Sequence, residues 1–202
     1  STVIWMSHDY FYLFEQGDLD RLRYNDPPQN ATEQHLRLLN PMLTRFVYGF
    51  ALALNGYSID DINEQWTWGA GWAYNVQNNA IPSDDILLTA RFVSTAFTVG
   101  GMIVLFFIAC NLGGAPVGYL ATLYYALNPA ILLNGRRAMM EGSAMFFTLL
   151  VVLAAIWLLK HRNWLSVVVL GMATGAAVAS KHPAVFTVIP VFAVCGGFAV
   201  YY

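Results

Sequence analysis

The sequence predicts an all-α membrane protein with about five transmembrane helices and a large polar loop that carries short interfacial helices. Hydrophobic residues make up 57% of the 202 residues and charged residues only 11%, well below the roughly 25% of an average soluble domain. Several apolar stretches approach the roughly 20 residues that a bilayer-spanning helix needs. The charge is also uneven: residues 1–85 hold eleven acidic and four basic residues (−7), and residues 86–202 hold one and six (+5).

Residues 1–85 are polar and rich in turn-forming residues, which predicts a loop ahead of the membrane helices. Within this loop, "MLTRFVYGFALALNG" (residues 42–56) is too short to span a bilayer and fits an amphipathic helix at the membrane interface. Trp66, Trp68 and Trp72 follow. Such rings are typical of the headgroup region, and stacking on a sugar is the alternative.

Residues 86–202 contain the apolar stretches, and we predict a bundle of five spans there. The final stretch, from Trp164 to Tyr202, is too long for one crossing. Its "SKHP" segment ends in Pro183, which suits a helix start, so we divide the stretch into a fourth and a fifth span. The fifth stops while still hydrophobic, so we expect the protein to continue beyond residue 202. The first three spans run from Ile86 to Cys110, from about Ala115 to Asn134, and from Ala138 to Leu159.

The short loop of Lys160, His161 and Arg162 indicates which side of the membrane is which. Basic loops favour the cytoplasm, and an odd number of spans lies between this loop and residues 1–85. We therefore predict an integral membrane protein with residues 1–85 outside the cytoplasm.

Several cations then lie at span ends on the outer side, against the usual preference of Lys and Arg for the cytoplasm. One explanation is local: the side chains snorkel, or Arg137 pairs with Glu141, four residues further on. The other is a shared site, since cations above apolar helix surface would bind a phosphate whose hydrophobic tail stays in the bilayer. The cations are Arg91, Arg136, Arg137 and Lys181.

The chain from about residue 80 to residue 195 resembles the N-terminal half of the GT-C glycosyltransferases of the protein O-mannosyltransferase and lipid A aminoarabinose transferase type. The likeness lies in "ILLTARFVSTAFTVGGMIVLFF", "GYLATLYYALNPAILLNGRRAMMEGSAMFFTLL" and "GMATGAAVASKHPAVFTVIPV". The positions that match the family pattern are Arg91, Asn128, Pro129, Arg136, Glu141 and Lys181.

The first loop matches the family more loosely. The resemblance assigns Asp9 to the position of the family's catalytic acidic residue, with Tyr10 in place of a second acid. Further along, Asn40 stands where the family commonly has His or Lys before two prolines, and Glu141 replaces the more usual Asp. The later spans and the soluble C-terminal portion of such enzymes are not in this sequence.

The resemblance implies transfer of a sugar, with inversion, from a polyprenyl-phosphate donor to a glycan, lipid or protein acceptor at the extracytoplasmic face. Asp9 would take the proton from the acceptor hydroxyl, and Arg91, Arg136, Arg137 and Lys181 would hold the departing phosphate. Glu141 would orient an arginine, the acceptor or a divalent metal. We expect membrane lipids as partners and no nucleic acid.

Simpler roles remain open for several residues. Asp9 would also serve as a helix cap before Tyr10, and His8 and His35 are candidate metal ligands without the spacing of a known site. Asn30 begins the N-glycosylation sequon "NAT".

A second function, from another class, also fits the sequence: a catalytically silent relative or fragment that serves as a structural subunit of a larger membrane complex. Tyr10 and Asn40 favour it, because they stand where the family has chemistry. The cations and Glu141 on one side favour the enzyme. A transporter is disfavoured, because we find no charged residue at mid-membrane depth.

Overall fold

The computed structural model describes residues 2–201, and side-chain surroundings for residues 2–199. These residues form helices and connecting turns without a strand, which confirms the all-α prediction. They divide into two compact units, with the division after Val93.

The first unit contains five short helices ahead of the long membrane helix. Helices α2 and α4 pack together around Phe11, Tyr48 and Leu52, whose side chains are fully buried. Helix α4 covers the run predicted as an amphipathic helix. The helices are α1 (Thr2–Trp5), α2 (His8–Phe14), α3 (Ala31–Leu39), α4 (Met42–Leu54) and α5 (Trp72–Gln77), with 3-10 turns at Asp20–Leu22 and Ile59–Asp61.

Gly49 allows the close approach of α2 to α4. A Cβ atom at this position would overlap Cβ of Tyr10 and would lie 2.9 Å from the carbonyl oxygen of Ser7. Both of these contacts belong to the segment that carries Asp9, so the glycine sets how deeply that segment is buried.

Helix α6 (Asp84–Leu127) begins in the first unit and continues into the second, where it breaks at Gly113 and Gly114. Gly114 has φ 77°, a left-handed conformation that glycine adopts without steric cost. The second arm folds back on the first. A hydrogen bond joins the two arms, in which the hydroxyl of Tyr125 donates to the carbonyl of Thr98 at 3.2 Å. The chain therefore turns in the loop predicted between the first two spans.

The rest of the second unit consists of α7 (Pro129–Gly135), α8 (Glu141–His161), α9 (Trp164–Ser180) and α10 (Val185–Tyr201), with a 3-10 turn at His182–Ala184. Helices α8 and α9 form a hairpin in which Asn163 caps α9, its Oδ1 accepting from the backbone N–H of Ser166 at 2.8 Å. Small residues such as Ala154, Ala173 and Ala177 form the buried seam between them.

Three described helical segments are long and apolar enough to cross a membrane: Asp84–Leu127, Glu141–His161 and His182–Ala199. Helix α9 is also apolar but shorter, at 17 residues. The five predicted spans correspond to the two arms of α6 and to α8, α9 and α10. The second span is shorter than predicted, because α6 ends at Leu127 and Asn128 caps a separate helix, α7.

Candidate functional site

Asp9 lies in a buried cluster of ion pairs in the first unit. Its side chain is 5% exposed, and two nitrogens of Arg37 on α3 bind its carboxylate. The Nη2 group of Arg37 donates to Oδ1 at 2.6 Å, and Nε donates to Oδ1 and Oδ2 at 3.0 and 3.1 Å. Arg45 of α4 adds a second guanidinium, with Nε 3.0 Å from Oδ2, although its N–H is not directed at that oxygen.

Glu33 extends this cluster from one turn earlier on α3. It accepts from Arg37 at 3.0 Å and from Arg21 at 3.0 Å. Arg21 in turn lies 3.9 Å above the ring of Tyr12. We call these five charged residues the Asp9 cluster: Asp9, Glu33, Arg21, Arg37 and Arg45.

The capping of α3 explains how Glu33 and Arg37 reach Asp9. Oδ1 of Asn30 accepts from the backbone N–H groups of Thr32 and Glu33 at 3.0 and 3.1 Å, which fixes the helix start. Glu33 and Arg37, four residues apart, then share one face. Nδ2 of Asn30, the sequon nitrogen, donates to Glu33 at 3.2 Å, so this amide is part of the cap.

Burial and pairing act in opposite directions on the arginines of the cluster. Burial opposes the charge of Arg37, but its bonds to Asp9 and Glu33 outweigh this and raise its pKa. Burial lowers the pKa of Arg45, and Asp9 offsets only part of that effect. Both therefore act as permanent cations, since the ordinary pKa of arginine lies far above neutral pH.

Asp9 is not the helix cap that we considered as an alternative. Helix α2 begins at His8, and Asp9 lies inside its first turn, bound to arginines of two other helices. Nδ1 of His8 lies 2.6 Å from the carbonyl oxygen of Trp5, and burial lowers the pKa of this imidazole. Among the residues that the structure describes, no three His, Cys, Asp or Glu side chains come together as a metal site.

A second charged pair lies in the second unit, where α8 begins. Nζ of Lys181 donates to Oε1 of Glu141 at 2.7 Å. Oε2 of Glu141 is buried and has no hydrogen-bond partner within the described part of the chain. Gly142 brings this helix start close to α6, since a Cβ there would lie 2.9 Å from the carbonyl oxygen of Ser94. The two residues are 40 positions apart in the sequence, and both match positions of the family pattern described above.

The pairing of Arg137 with Glu141 that we considered does not form, because α8 begins only at Glu141 and Lys181 takes its carboxylate. Arg136 and Arg137 lie in the turn before α8, and both are exposed. Arg91, also exposed, lies on the part of α6 that belongs to the first unit.

The structure thus brings together only some of the predicted site residues. Glu141 and Lys181 are in contact, whereas Asp9 binds Arg37 and Arg45, which sequence reasoning missed. A signal for these two existed, because residues 1–85 contain only four basic residues. Three of those four join the Asp9 cluster.

Comparison with known proteins identifies the family. The family model for dolichyl-phosphate-mannose-protein mannosyltransferase matches residues 39–196, well over half of the chain. Comparison with curated proteins and with solved structures gives no match. The matched range includes Arg45, Arg91, Glu141 and Lys181, and Asp9 lies outside it. The chain therefore belongs to the dolichyl-phosphate-mannose-protein mannosyltransferase family, membrane glycosyltransferases of the GT-C type.

Proposed function

We propose that the protein transfers a sugar, with inversion, from a polyprenyl-phosphate donor to an acceptor at the extracytoplasmic face of the membrane. One observation carries the proposal beyond the family match: the Glu141–Lys181 pair and two exposed arginines meet the start of one membrane helix. Cations at a helix start suit a phosphate whose polyprenyl tail lies along apolar helices.

Arg136, Arg137 and Lys181 are the proposed phosphate ligands. Arg91 is proposed with them because it is one of the cations at the outer span ends and because it matches the family pattern. The departing phosphate gains negative charge in the transition state, so preorganised cations stabilise it more than they stabilise the bound donor. The unpartnered Oε2 of Glu141 is an acceptor for a donor group that the ligand would bring. A sugar hydroxyl supplies such a group.

Asp9 is the proposed general base, and the geometry of its cluster favours Oδ2 as the atom that accepts the proton. Among the described residues, Oδ1 accepts two hydrogen bonds, both from Arg37, and Oδ2 accepts one, because the nearby Nε–H of Arg45 makes no hydrogen bond to it. A carboxylate oxygen has two lone-pair sites, so Oδ2 keeps one for the acceptor's proton. The cavity beside it, lined by His8, Tyr12 and Arg37 among others, holds only about 10 Å³. The acceptor would therefore have to open this region.

A transfer assay tests the proposal. The full chain in membranes is supplied with radiolabelled dolichyl-phosphate mannose and an acceptor peptide or glycan, and labelled product is counted. We expect Asp9→Asn to lower transfer by about 10²–10⁴-fold while donor binding survives, because general base catalysis contributes that range. The matched control is Asp20→Asn, which removes an exposed carboxylate of the same loop. Unchanged transfer in Asp9→Asn would refute the base.

The second candidate is a catalytically silent subunit of a membrane complex, and the burial of Asp9 favours it. A carboxylate held by two guanidinium groups at 5% exposure also suits a purely structural ion pair. This candidate predicts neither donor binding nor transfer in the wild type, whereas the enzyme predicts both.

A further inference from the structure

An apolar groove follows α8 toward its C-terminal end. Its volume is about 310 Å³, and it lies between the first arm of α6, α8 and α9. From Leu150 to Lys160 it extends over ten residues of α8, about 15 Å at 1.5 Å per residue. Its apolar lining includes Phe107, Leu150, Leu153, Ile156, Trp157 and Val169. A groove of this length and composition accommodates a hydrocarbon chain better than a compact polar ligand.

All of the polar groups of the groove lie at one end. Nζ of Lys160 donates to Oδ1 of Asn111 at 2.6 Å, and Nδ2 of Asn111 donates to the carbonyl of Phe107 at 2.8 Å. His161 lies beside them, with its ring 6.2 Å from that of Trp157. A lysine ammonium has three N–H donors, and Asn111 is neutral. Asn111 therefore does not neutralise the lysine, and within the described part of the chain the ammonium has donors left for a ligand at the mouth of the groove.

No acidic side chain of this unit neutralises Lys160. After Asp85 the sequence contains one acidic residue, Glu141, which begins α8 and is bound to Lys181 at 2.7 Å. The 21 residues of α8 separate Glu141 from Lys160 by about 30 Å, so the two charges lie at opposite ends of the helix. At the end of a membrane-spanning helix, the phosphate of an anionic lipid is the complementary charge.

We propose that this groove is a binding site for one anionic phospholipid of the leaflet at this end of α8. An acyl chain lies in the groove along Leu153 and Trp157, and the anionic headgroup binds Nζ of Lys160, with His161 beside it. In this arrangement Trp157, one turn before Lys160, would lie at headgroup depth, as interfacial tryptophans commonly do. The site is separate from the Glu141–Lys181 pair and does not depend on sugar transfer.

Lipid selectivity in a bilayer tests the proposal. The full chain is reconstituted in phosphatidylcholine with a trace of spin-labelled phosphatidylglycerol or spin-labelled phosphatidylcholine, and the protein-bound fraction of each label is measured. We expect phosphatidylglycerol to be preferred about fivefold, the effect of one well-placed cation at a lipid surface. Lys160→Gln should bring the ratio close to one, and Lys160→Arg should retain it. Lys160 is exposed, so neither change threatens folding.

Two further variants separate the groove from general surface charge. Arg162→Gln removes a cation of the same loop that lines a different cavity, so the ratio should persist. Leu153→Trp fills the groove while Lys160 stays, so the ratio should fall. Equal ratios in the wild type and Lys160→Gln would overturn the proposal, as would an unchanged ratio in Leu153→Trp. Displacement of phosphatidylglycerol by stoichiometric polyprenyl phosphate would overturn the assignment to a phospholipid.

Discussion

Replacing Arg37 by glutamine isolates the contribution of the Asp9 cluster to the first unit. The change removes three hydrogen bonds to Asp9, one to Glu33 and one to the backbone carbonyl of Arg21. It leaves carboxylates that are 5% and 8% exposed with fewer cations. Because breaking a buried ion pair on one side leaves an uncompensated charge, we expect a loss of about 3–5 kcal/mol in the free energy of unfolding.

Denaturant unfolding of the purified chain, followed by tryptophan fluorescence, measures this loss. The matched control is Arg23→Gln, because Arg23 and Asp20 form a pair at 3.0 Å with both side chains largely exposed. Such a surface pair contributes about 0–1 kcal/mol. An equal loss in Arg37→Gln and Arg23→Gln would refute the reasoning.

Three other outcomes follow from the structure. Lys181→Gln should lower donor-dependent transfer at least tenfold. It should change the free energy of unfolding by less than about 1 kcal/mol, because the Lys181 side chain is 37% exposed. Loss of folded protein would contradict this prediction. Gly49→Ala should lower the free energy of unfolding by about 1–3 kcal/mol, because the added Cβ would overlap Tyr10. The control is Gly171→Ala, which places its Cβ in open space and should leave the free energy of unfolding unchanged or slightly higher. Burial lowers the pKa of His8, so its contribution to stability is present above the unfolded pKa of about 6.5 and is lost as the pH falls from there through the lower pKa of the folded state. His8→Gln should therefore flatten the decline in unfolding free energy below about pH 6.5.

The membrane helices could be predicted from sequence because their signals are local. Apolar length marks α8, and two adjacent glycines mark the turn within α6. The one spacing argument that failed did so for a local reason as well. Arg137 and Glu141 would pair only within one helix, and the chain enters α8 only at Glu141.

The Asp9 cluster could not be predicted because its contacts are tertiary. Asp9 contacts Arg37, which is 28 positions later in the sequence, and Arg45, which lies on a third helix. No sequence periodicity connects these residues. The contact of Glu141 with Lys181 is equally distant in sequence. Counting the spans placed Glu141 and Lys181 on the same side of the membrane, and the resemblance added that both belong to one family pattern.

Photocrosslinking of the donor tests most directly the claim that the start of α8 binds the donor phosphate. A dolichyl-phosphate analogue with a photoreactive group next to the phosphate is irradiated with the full chain in membranes, and labelled peptides are mapped. We predict labels in residues 134–145 and near Lys181, both reduced in Arg136→Gln and in Lys181→Gln. Labels confined to the loop of Lys160–Arg162, or unchanged in both variants, would contradict the account.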